Sequence, residues 1–80
     1  GHPALSAGAP YDLIVANILA RPLQHLAPAI AAHLAPGGHV VLSGLLAKQD
    51  AQVRAIYRDQ GLFLVRRRQF GDWLTLELAA

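Results

Sequence analysis

The chain has 80 residues with five acidic and seven Lys or Arg side chains, a net charge of +2, and is 54% apolar but only 15% charged. That length allows one small domain, in which folding buries only ~60% of the unfolded surface, and so slight a charge gives no nucleic-acid footprint by itself. Without Cys or Met, disulfides, thiolate chemistry and Cys-based zinc sites are excluded and a reducing, cytoplasmic setting fits best.

No apolar run approaches the ~18 residues of a membrane span, and the N-terminus lacks the charged-then-apolar layout of a signal peptide. Gly1-His2 reads as a cleavage scar, which makes the chain a cut piece. Its apolar composition then suggests that some of its surface lies against something outside it.

Residues 1–10 hold two Pro and two Gly among small residues and read as a leader loop. Tyr11 to Leu19 is an apolar run too short for a buried helix and followed by helical signals, so a parallel strand covered on both faces is expected. Pro22 fits the first helical position. Leu23, Leu26, Ala27, Ile30, Ala31 and Leu34 then form a helical stripe. Pro28 removes one donor from it, and because the apolar phase continues, a kinked helix is expected in preference to two.

Pro36-Gly37-Gly38 should end that helix and turn the chain, since glycine adopts left-handed backbone without a Cβ penalty. His39 to Ser43 reads as the second strand, parallel to the first because a helix joins them. Residues 48–60 form an amphipathic helix with Val53, Ile56 and Tyr57 on its apolar face, closed by Gly61. Leu62 to Gln69 and Trp73 to Leu78 are strands, with Phe70-Gly71-Asp72 short enough only for a hairpin. Leu74, Leu76 and Leu78 alternate with Thr75 and Glu77, so one face of the last strand packs. The order is β-α-β-α-β-β with the last strand antiparallel, an α/β fold.

Ligands of open α/β sheets sit beyond the carboxyl ends of the strands, and Asn17 is the polar side chain at that point on the first strand. The residues alone leave two roles for it: satisfying turn backbone between strand and helix, or serving a ligand. The three-residue run Arg66-Arg67-Arg68 could meet RNA or an acidic partner. A strand sends Arg66 and Arg68 one way and Arg67 the other, which splits the patch. His25, His33 and His39 have no carboxylate at ligand spacing, and no metal site is expected. Trp73 and Tyr57 are assigned to core or hairpin packing. Ser43 lacks a His and acid beside it and any G-x-S-x-G elbow, so it is not read as a nucleophile.

Four stretches together resemble the C-terminal half of the class I S-adenosylmethionine-dependent methyltransferases that modify large-subunit ribosomal protein eleven. They are Asp12-Leu13-Ile14-Val15-Ala16-Asn17-Ile18-Leu19-Ala20, Pro36-Gly37-Gly38, Leu42-Ser43-Gly44-Leu45-Leu46 and Gly71-Asp72-Trp73. The resemblance covers residues 11–79. It implies half of a Rossmann-like methyltransferase sheet, with residues 11–80 as the C-terminal part of a catalytic domain. The first strand and the Leu62 to Gln69 strand would be its borders, and the last strand would insert antiparallel between the second and third. In that order Arg66 to Arg68 would lie on an outer edge strand, where charge blocks unwanted pairing, and this is their preferred reading.

The resemblance further implies methyl transfer from S-adenosylmethionine to amino groups, lysine side chains or an N-terminus, of a ribosomal protein. Asn17 would orient the amine and touch the cofactor, and the Ile18, Leu19 and Ala20 backbone would line the substrate pocket. An amide oxygen can accept the amine's N–H groups and aim its lone pair at the methyl carbon, a contribution of orientation and not of acid–base power. Ile18, Leu19 and Ala20 replace the two prolines and aromatic of the commoner motif, so no stacking role carries over. No two glycines stand in G-x-G spacing, and no acidic residue follows where a ribose partner is needed. The piece alone should therefore bind cofactor weakly and be inactive. No nucleic acid or membrane partner is expected, and self-association through an exposed strand or helix face is. The competing reading is a non-catalytic interaction or dimerisation module derived from such a half-domain.

Overall fold

A computed structural model describes residues 10–18 and 23–80. The elements run β1 (Tyr11–Asn17), α1 (Leu23–His33), β2 (Leu34–Leu46), a 3₁₀ turn (Ala47–Gln49), α2 (Asp50–Arg58), β3 (Phe63–Phe70) and β4 (Trp73–Ala79). The leader loop's first nine residues, Leu19, Ala20 and Pro22 lie outside the described residues.

The four strands form one sheet in the order β1-β2-β4-β3. β1 and β2 are parallel, while β4 runs antiparallel to both β2 and β3. The borders and the inserted antiparallel last strand are those the resemblance implies. Helix α1 makes the crossover that a parallel neighbour requires. It continues through Pro28 as one helix, and its last turn is tied by the His33 Nδ1–H donating to the Ala29 carbonyl over 2.8 Å.

The core forms between one sheet face and the two helices. Ile14 and Ile18 from the first strand and its exit, Val40, Leu42 and Leu45 from β2, and Leu74, Leu76 and Leu78 from β4 meet Ala27 and Ile30 of α1 and Val53 and Tyr57 of α2 in one buried cluster. Alternation by two in the strands and by three or four in the helices places these residues on one side of each element. The β4 pattern reads off the sequence as found, with Thr75 and Glu77 between the buried leucines.

The expectation that β1 is covered on both faces does not hold. Leu13 is 57% and Val15 67% exposed, because both helices pack on the Ile14 face and no described element lies over the other. The second strand is also longer than His39 to Ser43. Its pairing begins at Leu34, and between the Tyr11↔Leu34 and Leu13↔His39 pairs two residues of β1 span five of β2. Pro36-Gly37-Gly38 is thus an irregularity inside the strand and not a separate turn before it. Gly37 has φ +75°, and a Cβ on Gly38 would fall 2.8 Å from the Ala35 carbonyl oxygen. The second helix begins as a 3₁₀ turn and ends at Arg58, two residues short of the expected bound. Of core or hairpin packing, Trp73 takes the hairpin: it is 52% exposed and sits opposite Phe70.

Candidate functional site

The carboxyl ends of β1, β2 and β3 share one rim of the sheet, as the parallel β1–β2 register and the β4 return require. Asn17 closes β1 there, opposite Ser43 of β2. Its side chain is exposed and follows Leu13 and Val15 on the face away from the helices. Ile18 anchors the strand's exit. Its side chain is buried in the core, and its N–H donates to the Ser43 carbonyl over 3.0 Å. Whatever Ile18 offers a ligand must therefore come from its carbonyl, and Leu19 and Ala20 lie outside the described residues.

Immediately beyond Ser43 the sheet is irregular. Leu42 pairs with Leu76 and Leu45 with Leu74, so three steps along β2 match two along β4. The extra residue bends the strand at the rim, a place where such bulges re-aim side chains. Gly44 at φ +73° accommodates it, since only glycine takes that backbone without strain.

Past the bulge, an open recess of about 320 Å³ is lined by Leu46, Ala47, Lys48 and Asp72. The Ala47 N–H donates to the Asp72 carbonyl over 2.8 Å, joining the end of β2 to the β3–β4 turn. The Leu46 N–H donates to Gln49 Oε1 over 2.8 Å and steadies the 3₁₀ turn behind it. The volume falls at the lower end of the ~300–1,000 Å³ usual for binding clefts.

Charged groups tie the neighbouring α2 and β3 together. Asp50 Oδ2 accepts from Arg67 Nε over 2.7 Å. Asp50 Oδ1 stands 2.8 Å from Arg54 Nε, close enough for charge attraction but without hydrogen-bond alignment. Arg67 therefore points to the helix side, as alternation anticipates. Arg66 and Arg68 lie on the other face, where they flank a shallow groove of about 170 Å³ with Val41, Thr75 and Glu77. Nearby, His39 Nδ1 meets Glu77 Oε2 at 2.7 Å. Among the described residues no group of three or more His, Cys, Asp and Glu side chains is placed to hold a metal. In the core beneath, burial pushes the Tyr57 phenol up to about 12.

The family model described as "Ribosomal protein L11 methyltransferase (PrmA)" matches residues 3–80. The chain belongs to the ribosomal protein L11 methyltransferase family. It is 51% identical over 77 residues to the ribosomal protein L11 methyltransferase of Chelativorans sp. (strain BNC1), covering 96% of this chain and 27% of that protein. The corresponding protein of Brucella suis is 49% identical over 78 residues, with 98% and 27% covered. The chain thus spans about a quarter of the length of these curated relatives. A crystal structure of ribosomal protein L11 methylase from Lactobacillus delbrueckii subsp. bulgaricus superposes with a TM-score of 0.81 at 30% identity, over 91% of this chain and 38% of that one. The M1.HpyAVI–SAM complex superposes at 0.74 with 12% identity over 90% of this chain and 45% of that one, a likeness of fold alone. The Rossmann-like class and the family implied by residues 11–79 both stand.

Sequence reasoning did not single out the recess or the Asp50–Arg67 link. Asp72 and the 46–48 stretch lie 24 residues apart, and only the return of β4 beside β2 joins them. The i, i+4 spacing of Asp50 and Arg54 is a sequence signal for a helical ion pair, but it carries nothing of the extension to Arg67 on β3.

Proposed function

We propose that the whole protein transfers methyl groups from S-adenosylmethionine to amino groups of a ribosomal protein, and that this chain supplies the strand rim that receives the amine. The observation that carries this reading is the register setting Asn17 opposite Ser43 at the carboxyl end of a parallel pair, where ligands of such sheets bind. In this reading Asn17's amide oxygen accepts N–H from the neutral amine and fixes the direction of its lone pair. The Ile18–Ala20 backbone lines the pocket beside it. Orientation of this kind contributes without any proton transfer by the side chain.

Among the described residues no glycine-rich turn is placed to cradle the cofactor. Gly37 and Gly38 enter β2 at its amino end, the opposite rim from Asn17, where they cannot serve a ligand at the carboxyl ends. The chain alone is therefore read as inactive and a weak cofactor binder, with Asn17 as a contact. The acceptors are lysine side chains or an N-terminus, and the setting is the cytoplasm. β1 is a border strand with Leu13 and Val15 exposed; in the isolated chain it is read as the surface through which copies associate.

Incubating the full-length protein with S-adenosylmethionine and a ribosomal protein substrate, then mapping mass increments by peptide, tests the reading. Methyl groups on amino nitrogens support it. Their absence from the substrate, or their appearance only on carboxylates or nucleic acid, overturns it.

A further inference from the structure

The turn between β3 and β4 forms one wall of the rim recess through Asp72. On one side it is held by the Ala47 N–H bond to the Asp72 carbonyl, 2.8 Å. On the other side a chain of side chains reaches it. Arg67 donates from Nε to Asp50 Oδ2 at 2.7 Å and from Nη2 to Gln69 Oε1 at 2.7 Å. Gln69 Nε2 then donates to the Gly71 carbonyl at 2.9 Å.

Each link suits its position. Residues 67 and 69 share a face because strand side chains repeat every two residues. The planar guanidinium presents two donors in a fixed fork, so engaging Asp50 with one arm sets where the other points. Gln69 uses its oxygen on Arg67 and its amide N–H on the turn, which fixes which way the amide lies. An edge-strand arginine needs only water, and all of β3 is exposed. Solvation alone does not account for three consecutive links that end on the turn carbonyl.

We propose that Arg67 and Gln69 are positioning residues for polypeptide binding, holding the Gly71-Asp72 turn so that the recess past the β2 bulge, on the same rim of the sheet as Asn17 and Ser43, keeps its shape for the chain that carries the target amine. This rests on the methyl-transfer reading above and names how its polypeptide site is held. Arg67 and Gln69 do not touch the reacting atoms, so their loss acts through the turn. A wall displaced by a fraction of an ångström weakens polypeptide binding before it affects the step at the amine.

Steady-state kinetics of the full-length protein with a ribosomal protein substrate separate the possibilities. Gln69→Leu removes the last link, and Arg67→Lys keeps a cation for Asp50 but loses the second arm of the fork. Each is expected to raise KM for the polypeptide about three- to tenfold, the range corresponding to one lost net hydrogen bond. KM for S-adenosylmethionine and kcat at saturation should stay within about twofold, and because both residues serve one path the double variant should be no worse than the single ones. An unchanged polypeptide KM in Gln69→Leu overturns the proposal, as do effects that multiply in the double variant, or a parallel loss in both KM values and melting temperature. A wild-type protein that transfers no methyl group overturns the underlying reading and this inference with it. An active wild type with indifferent variants overturns this inference alone.

Discussion

Tyr57 gives the sharpest test of the packing account. Its ring is fully buried between α2 and the sheet, and its hydroxyl oxygen has no hydrogen-bond partner among the described residues. Burying a hydroxyl unpaired costs about 1–3 kcal/mol, so Tyr57→Phe should be neutral or stabilising by up to about 2 kcal/mol. Tyr57→Ala, which empties the ring's volume, should cost about 3–5 kcal/mol. The same burial raises the phenol's pKa from 10.0 to about 12. An acid whose folded pKa lies above its unfolded value keeps its proton longer when folded. The unfolded state therefore ionises first, and stability falls as pH rises through the window between the two values. A shift of this size corresponds to about 3 kcal/mol lost across that window, and the phenylalanine variant should not lose it. Urea titrations followed by circular dichroism between about pH 8 and about pH 12 measure both effects. A Tyr57→Phe variant destabilised by more than about 1 kcal/mol would mean that the hydroxyl has a partner. Identical alkaline slopes for the two proteins would refute the burial argument.

Three further outcomes follow from the same architecture. Leu76 is fully buried in the inserted strand β4, so Leu76→Ala should cost about 2–5 kcal/mol in the same denaturation assay. Gly38→Ala should lower stability by at least about 1 kcal/mol, since its Cβ would meet the Ala35 carbonyl oxygen at 2.8 Å and backbone must move; an unaffected midpoint would show that the strand entry gives easily. Val15→Lys, on the uncovered face, should change the stability of this chain by no more than about 0.5 kcal/mol while reducing self-association in sedimentation velocity. A wild-type chain that sediments as a single copy at all concentrations would remove the association reading.

Much of the fold was legible because local pattern and tertiary role coincide. The Leu74-Thr75-Leu76-Glu77-Leu78 alternation meets one packed face, and the α1 stripe continues across Pro28 because its apolar phase does. The strand order came from the family resemblance, since neither periodicity nor turn chemistry says where a fourth strand inserts. The uncovered face of β1 was missed for a physical reason. An unbroken apolar run records burial in the whole sheet a strand belongs to, and this chain spans about a quarter of its relatives' length. The β2 entry was misplaced because Pro-Gly-Gly marks a break in regular pairing equally well before a strand or within its first residues. Of the two places open to Trp73, core or hairpin, the β4 alternation decides for the hairpin, because it assigns the buried face to the even positions from Leu74 onward. At the rim, the place of Asn17 at the carboxyl end of β1 was legible from the sequence. The Arg67–Gln69 chain to Gly71 was invisible because its geometry depends on which face α2 occupies.

Asn17 in the full-length protein decides whether the rim of β1 steers the amine. With Asn17→Ala, the single-turnover rate of methyl transfer is predicted to fall by about one to two orders of magnitude, the loss expected when an orienting contact is removed. The calorimetric Kd for S-adenosylmethionine should stay within about threefold of wild type, because in the proposed role this side chain supplies direction and little cofactor binding energy. An undiminished single-turnover rate in that variant would contradict the account.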